Sequence, residues 1–307
     1  MNIAILGANS QIAKDTILSF SIQKEVDLFL FVRNKKALDQ WISNLKLEKN
    51  CKVFEYSDFN NIQKFNVIIN FVGASSPEKV KELGNDIIKV TEEFDEIAIQ
   101  YIKRNKTTKY IFLSSGVVYA SNYNEPVSQE SHARINVNDL LPNEWYSLAK
   151  ICAEVKHRSL SDLSIVDIRV FNYFSHTINM NSRFLITDIV RAIKTKEIFK
   201  TSSENIVRDY ITPLDFNNLI QSIINYKPIN IAVDCYTKAP IAKFDLLSKL
   251  KIAYGLDYSI DNSIKIVNAT GSKKKYYSIN TQAKIIGYCP FYDSYEGIIK
   301  EINETIS

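Results

Sequence analysis

Short apolar runs alternate with longer amphipathic stretches through the first half of the chain. Runs at residues 3–6, 28–32, 52–56, 67–72, 110–114 and 165–170 are rich in Ile, Leu, Val and Phe, as expected of strands covered on both faces of a parallel sheet. Between them lie stretches with apolar residues at helical spacing, clearest at 12–19, at 79–104 with an interruption around Gly84, and at 146–159. This rhythm predicts βαβ units and an α/β fold with a doubly wound parallel sheet. The apolar segment 230–233 predicts one more strand.

Beyond Asn172 the rhythm loosens, with helical stretches at 184–193 and 244–253 separated by irregular polar sequence. The expected division is a main unit of residues 1–171 with a returning segment near 205–240, and a smaller C-terminal lobe of 172–204 and 241–307. No repeat, low-complexity tract or Pro-rich linker separates the two, which predicts one compact unit with two lobes.

Composition narrows the function classes. The 307 residues are 46% hydrophobic and 23% charged, enough to bury a core without disulfides or a structural metal. The formal net charge is +4, too little asymmetry to predict a nucleic-acid partner. The tight cluster Lys273, Lys274 and Lys275 reads as a solvated loop rather than a phosphate-tracking patch. Cys51, Cys152, Cys235 and Cys289 are far apart and lack a nearby His, so reduced thiols are expected and a zinc site is not. The start Asn2-Ile-Ala-Ile-Leu-Gly7 reads as a strand with no basic leader, and no run of about 18 apolar residues is present. A cytoplasmic protein without a membrane partner is the expectation.

The first strand runs into Gly7-Ala-Asn9-Ser10-Gln11-Ile12-Ala13 and then a helix. Such a turn aims the amides of a helix N-terminus at a pyrophosphate. Gly7 supplies the tight turn, Ser10 stands where close approach favours glycine, and Ala13 permits helix–strand packing. An acidic residue at the end of the second strand would accept bonds from the ribose of NAD. Arg33, Asn34, Lys35 and Lys36 stand there instead, which favours NADP while leaving NAD possible. Asp58, after the third strand, is a candidate for the adenine amino group or a turn cap. Phe71 and Gly73, at the end of the fourth strand, are expected beside the dinucleotide.

Tyr146-Ser-Leu-Ala-Lys150 places a phenol and an ammonium four residues apart on one helix face. A nearby cation is expected to stabilise the phenolate and bring the tyrosine into working range. Ser114-Ser115-Gly116 closes the fifth strand. In a doubly wound sheet the strand tips line one crevice, so the glycine turn, the serine and the Tyr–Lys pair converge.

With these motifs in order, the chain resembles the extended short-chain dehydrogenase/reductase family, and within it the nucleotide-sugar epimerases, dehydratases and 4-keto reductases. The segment Phe112-Leu-Ser114-Ser115-Gly-Val-Val-Tyr119 is similar to the family's strand-five segment, which implies that Ser115 is the catalytic serine. Arg169-Val-Phe-Asn172-Tyr173-Phe174 resembles the segment that contacts the substrate's nucleotide portion. Val207-Arg208-Asp209-Tyr210 resembles the motif whose arginine grips the substrate diphosphate, and Ala283-Lys284-Ile-Ile-Gly287-Tyr288-Cys-Pro290 the C-terminal signature. Departures are Ser10 and Ala13 for two glycines, and Phe174-Ser175 where Gly-Pro is usual. His132, ahead of Tyr146, reads as a loop histidine, and Trp145 as either a pocket wall or a core residue. His157 and His176 show no partner pattern.

The resemblance implies a Rossmann unit and an NADPH-dependent reductase of a nucleotide-diphospho-4-keto-6-deoxysugar, in deoxysugar and surface-polysaccharide biosynthesis. Tyr146 would donate the proton, Ser115 polarise the carbonyl, Lys150 hold the nicotinamide ribose, and Asn172 and Arg208 bind substrate. It also implies a homodimer through the helices at 79–104 and 146–159. Two alternatives stand beside this reading: an NAD-dependent 4-epimerase using the same residues, and a non-catalytic dinucleotide-sensing regulator.

Overall fold

The computed structural model describes residues 1–61, 64–74, 77–263 and 273–306; residues 264–272 and 307 of the expected C-terminal lobe lie outside them. The main sheet is built from β1 (Asn2–Leu6), β2 (Asp27–Val32), β3 (Cys51–Glu55), β4 (Val67–Asn70), β5 (Lys109–Ser115) and β6 (Ile165–Val170). Short strands follow: β7 (Asn172–Tyr173), β8 (Phe199–Thr201), β9 (Val207–Arg208) and β10 (Tyr210–Ile211). Then come β11 (Asn230–Asp234), β12 (Ile241–Ala242), β13 (Tyr258–Ile260) and β14 (Lys275–Tyr276). The helices are α1 (Gln11–Ser21), α2 (Lys35–Asn44), α3 (Pro77–Leu83), α4 (Asp86–Arg104) and α5 (Trp145–Ser159), followed by α6 (Leu185–Thr195), α7 (Pro213–Asn225), α8 (Lys243–Tyr254) and α9 (Ser294–Ile306).

Seven strands form one parallel sheet in the order β11-β6-β5-β4-β1-β2-β3. This is a doubly wound, Rossmann-like α/β fold, and its strands show why the apolar runs are continuous. In β1, Ile3 and Ile5 enter a core shared with α1, α2 and α7, whereas Ala4 and Leu6 enter a second core shared with α4 and α5. Leu28 and Leu30 alternate with Phe29 and Phe31 in β2 in the same way. A strand with period-two side chains and two apolar faces has no polar face left. A third core gathers α6, α8 and α9 around Leu246, Leu247, Ile298 and Ile302.

The sequence pattern misses α7 and α9, and the expected helix over 79–104 divides at Gly84 into α3 and α4. Strand β3 is followed by a 3₁₀ turn, Tyr56–Asn61, rather than a full helix. Expected as a solvated loop, the Lys273 side chain is in fact 7% exposed. It is inserted between aromatic rings, a placement that depends on tertiary contacts and leaves no local signal. All four cysteines are free; Cys51 and Cys235 are buried, Cys152 and Cys289 exposed.

β1 sits between β2 and β4, so the chain leaves it in opposite directions before and after β4. The crevice of such a sheet opens at this switch point, above the strand C-termini. Gly7 follows β1, Gly73 follows β4, and Ser115 ends β5.

Candidate active site

The turn after β1 is shaped by Gly7. Its φ of +73° is left-handed, and a Cβ there would lie 2.9 Å from both Phe71 C and Val72 N. Any side chain would collide with backbone that cannot yield. Phe71 itself is buried, and its amide donates to Leu6 O at 2.9 Å, which fixes the approach. Ser10 caps α1 and its Oγ accepts from the Ala13 amide at 3.4 Å. The amides of Asn9, Gln11 and Ile12 have no acceptor among the described residues. They form the donor cradle that a dinucleotide pyrophosphate fits. The Gln11 side chain points away from that cradle, to Thr177 and Asp15.

The Gly7 amide also donates to Tyr56 Oη at 2.9 Å, and burial raises this phenol's pKa to about 12. Asp58 caps the turn after β3, accepting from the Glu55 amide at 3.2 Å. Beyond β2, Arg33, Asn34, Lys35 and Lys36 line a cleft of about 630 Å³ with Asp39 and Glu55. Asn34 caps α2 through Ala37 N at 3.5 Å, while Arg33, Lys35 and Lys36 are exposed.

The three chemistry-bearing residues meet at the tips of β4 and β5. Tyr276 Oη lies 3.4 Å from Ser115 Oγ, and the Ser115 hydroxyl is close enough to the Tyr146 phenol to pull its pKa down. Ser147 Oγ, donating to Val117 O at 2.6 Å, pins the start of α5 onto the turn after Ser115. Gly116 makes room for Phe171, whose ring would lie 2.4 Å from an added Cβ. Lys150 is buried; its Nζ donates to Leu113 O at 2.8 Å, lies 4.3 Å from the Phe112 ring centre, and faces Gly73, where an added Cβ would be 3.4 Å away.

Burial lowers the Lys150 pKa to about 8, partly countered by Asp95, Glu154 and Asp167. Burial also raises that of Tyr146, and the nearby Ser115 hydroxyl only partly offsets this. Lys150 is not among the groups that shift the Tyr146 pKa; its ammonium donates to Leu113 O.

Asn172 Nδ2 donates to Asp209 O at 3.1 Å and Tyr276 O at 3.3 Å, tying β7 to the chain between β9 and β10 and to β14. The Arg208 guanidinium is largely buried and donates to three backbone carbonyls. His132 lines a separate cavity of about 550 Å³ between α5 and β11. Trp145 packs near Gly84. Sequence reasoning missed Tyr276, one of 17 tyrosines with no spacing to mark it. It also missed the buried pair behind Ser114, where Arg169 Nη2 meets Glu154 Oε2 at 2.5 Å.

His157 is buried between Asp167 (Nδ1 to Oδ1, 2.6 Å) and Asp95 (Nε2 to Oδ1, 2.7 Å). Burial alone would lower its pKa, but the two carboxylates raise it to about 9.

A glycine turn at the switch point, free helix amides and a Ser–Tyr pair at the strand tips define a dinucleotide-type crevice on a doubly wound sheet. Residues 3–232 match the model of the NAD dependent epimerase/dehydratase family, and the chain belongs to that family. No curated protein matches the sequence. Among solved structures, the chain is similar to UDP-glucose 4-epimerase from Thermotoga maritima with UDP-glucose, at 16% identity and TM-score 0.78 over 99% of this chain and 98% of that one. UDP-glucuronic acid 4-epimerase from Bacillus cereus, in complex with UDP-glucuronic acid and NAD, gives 16% and 0.77 over 99% of both chains. The dTDP-glucose 4,6-dehydratase from Bacillus anthracis in complex with NAD gives 13% and 0.76 over 99% and 96%. At these identities the likeness is one of fold.

Proposed function

We propose that the protein is an NADPH-dependent reductase acting at the C4 carbonyl of a nucleotide-diphospho-4-keto-6-deoxysugar. The observation that carries this reading is the convergence at the strand tips of the Ser115 hydroxyl, the Tyr146 phenol whose pKa it influences, and the Lys150 ammonium, which faces the open side of Gly73. The chemistry a reduced nicotinamide would supply when bound is the hydride. Burial keeps Tyr146 protonated at neutral pH, so its phenol donates a proton to the sugar oxygen as that oxygen gains charge. Ser115 donates a hydrogen bond to the same oxygen and orients it. Lys150, positioned by Leu113 O and the Phe112 ring beside Gly73, would hold the nicotinamide ribose through its remaining N–H groups.

The choice of NADPH rests on Arg33, Lys35 and Lys36 around the cleft beyond β2, because a guanidinium and two ammonium groups suit a 2′-phosphate. A cofactor consumed in each turnover fits net reduction. A 4-epimerase is the second reading, favoured by the likeness to two 4-epimerases, one of them solved with NAD.

The test is incubation with NADPH and 4-keto-6-deoxy sugars carrying dTDP, CDP, GDP or UDP. Stoichiometric NADPH oxidation with a C4 alcohol product is expected. Isomerised 4-hydroxy sugar without net NADPH oxidation, with NAD retained on the protein, would establish the epimerase instead. If dinucleotide binds but no sugar turns over, the remaining reading is the sensor.

A further inference from the structure

A fourth core, largely aromatic, closes the crevice around Ser115, and Tyr276 of β14 belongs to it. The Tyr276 ring lies 5.0 Å from that of Tyr123 and 5.1 Å from that of Phe171, centre to centre. Both neighbours are tied to the residue after Ser115: Phe171 fills the space that Gly116 leaves, and the Tyr123 hydroxyl donates to Gly116 O at 2.8 Å. Lys273 Nζ stands 4.0 Å from the Tyr276 ring centre, and the Tyr276 carbonyl accepts from Asn172 Nδ2. Ring and main chain are thus clamped, and the phenol projects at Ser115.

A serine hydroxyl has one proton and two lone pairs. Ser115 Oγ accepts from the Val117 amide at 3.4 Å, and the Tyr276 hydroxyl is its neighbour at the same distance. The direction of the second contact follows from what each group can reach. Tyr276 is buried and, among the described residues, its hydroxyl has Ser115 as hydrogen-bond partner and no other. Were Ser115 the donor, the phenol proton would be left buried without an acceptor, a costly arrangement. The phenol is therefore the donor. Burial holds its pKa well above the ordinary tyrosine value, so the proton is always there to give. With both lone pairs filled, the Ser115 proton is left to face the Tyr146 phenol and the space beside it. Both contacts are long for their type, so a small shift of the ring would release them, and the aromatic clamp prevents that shift.

We propose that Tyr276 is a positioning residue for Ser115: its phenol fills the second lone pair of the serine and leaves that hydroxyl able only to donate. A serine free to rotate spends part of its time accepting, and in that state it cannot polarise a carbonyl. That the oxygen Ser115 meets is a sugar carbonyl rests on the reading above; the orientation of Ser115 does not.

The test is a double-mutant cycle in the full chain, Tyr276→Phe with Ser115→Ala, assayed with NADPH and the panel of 4-keto-6-deoxy sugars. Tyr276→Phe is expected to lower kcat about fivefold to tenfold, the effect of one hydrogen bond, at unchanged KM and unchanged melting shift by NADPH. In the Ser115→Ala background the same exchange is expected to change the residual turnover by less than about twofold. An unaltered kcat overturns the assignment. So does a rise in KM alone, which would make Tyr276 a substrate contact, and so does an equal loss with and without Ser115. A second readout needs no substrate: fluorotyrosine placed at Tyr146 and titrated by fluorine NMR. Tyr276→Phe weakens donation from Ser115 and is expected to raise the pKa of that phenol by about half a unit, with no such change once Ser115 is Ala. A phenol that Tyr276→Phe leaves unmoved, or moves without Ser115, overturns the inference whether or not any sugar reacts. A Ser115-dependent shift with no turnover of any sugar would refute the reductase and leave Tyr276 as the residue that orients Ser115.

Discussion

Tyr146 and Lys150 lie one helical turn apart, yet the groups that tune them differ. The phenol faces Ser115 and feels chiefly its own burial, while the ammonium is drawn to Leu113 O. A protonated phenol is the form a reductase needs. Tyr146→Phe removes the donor and leaves the ring in place. Turnover is expected to fall by about 10²–10⁴ while NADPH still raises the melting temperature, which a steady-state assay paired with thermal denaturation checks. Arg33 is the residue that discriminates between cofactors in this reading. Exchanging it for Asp removes a cation from the cleft and should shift the NADPH-to-NADH affinity ratio toward NADH by about tenfold or more, one charge-assisted bond in magnitude; fluorescence titration of the two dinucleotides measures it.

Helix α5 carries a second charge system behind the crevice. Lys156, His157 and Arg158 face Asp95 and Asp167, with the Tyr110 hydroxyl also donating to Asp95 at 2.8 Å. The His157 pKa is raised to about 9 from an unfolded value of about 6.5. Its stabilising contribution is therefore complete below about pH 6.5 and lost as pH rises through 9. His157→Gln should be less stable than wild type at pH 6, with the gap narrowing by pH 9.5 in urea denaturation. At the β1–α1 turn, Gly7→Ala meets the backbone of Phe71 and Val72 and an unfavourable φ. A stability loss of about 1–3 kcal/mol is expected from the backbone alone, together with loss of the melting-temperature shift by NADPH.

Elements differ in how plainly the chain announces them. The seven main strands could be read because each carries its burial pattern within a few residues, and the Gly7 turn, Ser115 and the Tyr146–Lys150 pair because their spacing is local. His157 was opaque: Asp95 lies 62 residues away, on another helix. Tyr276, 161 residues from Ser115, and Lys273 reach the crevice only through the pairing of two-residue strands, too short for any periodicity. Helix α9 has apolar positions for the third core, but their partners in α6 and α8 become evident only in the folded chain.

At the scale of the molecule, two polar clusters tie the parts together. Asp15 in α1 accepts from Tyr173 Oη at 2.9 Å and Thr177 Oγ1 at 2.5 Å, linking the cofactor turn to the chain beyond β6. Arg169 joins Glu154 of α5 to Tyr119, whose hydroxyl donates to Asp234 of β11 at 2.7 Å; Ser278 donates to the same carboxylate. Arg169→Met would leave Glu154 without its ion pair and Asp234 without its nearby cation. Breaking such a buried pair costs about 3–5 kcal/mol, which equilibrium unfolding in urea would register as a lower midpoint.

The order in which the crevice is assembled has a consequence during synthesis. All seven strands of the main sheet have been translated once Asp234 is added, but Lys273 and Tyr276 come later. A growing chain at that stage has a place for the dinucleotide and no wall opposite Ser115. Closure of the crevice around Ser115 is thus deferred until residue 276 has been added, and a product truncated between those points would carry the Gly7 turn without the Tyr276 wall.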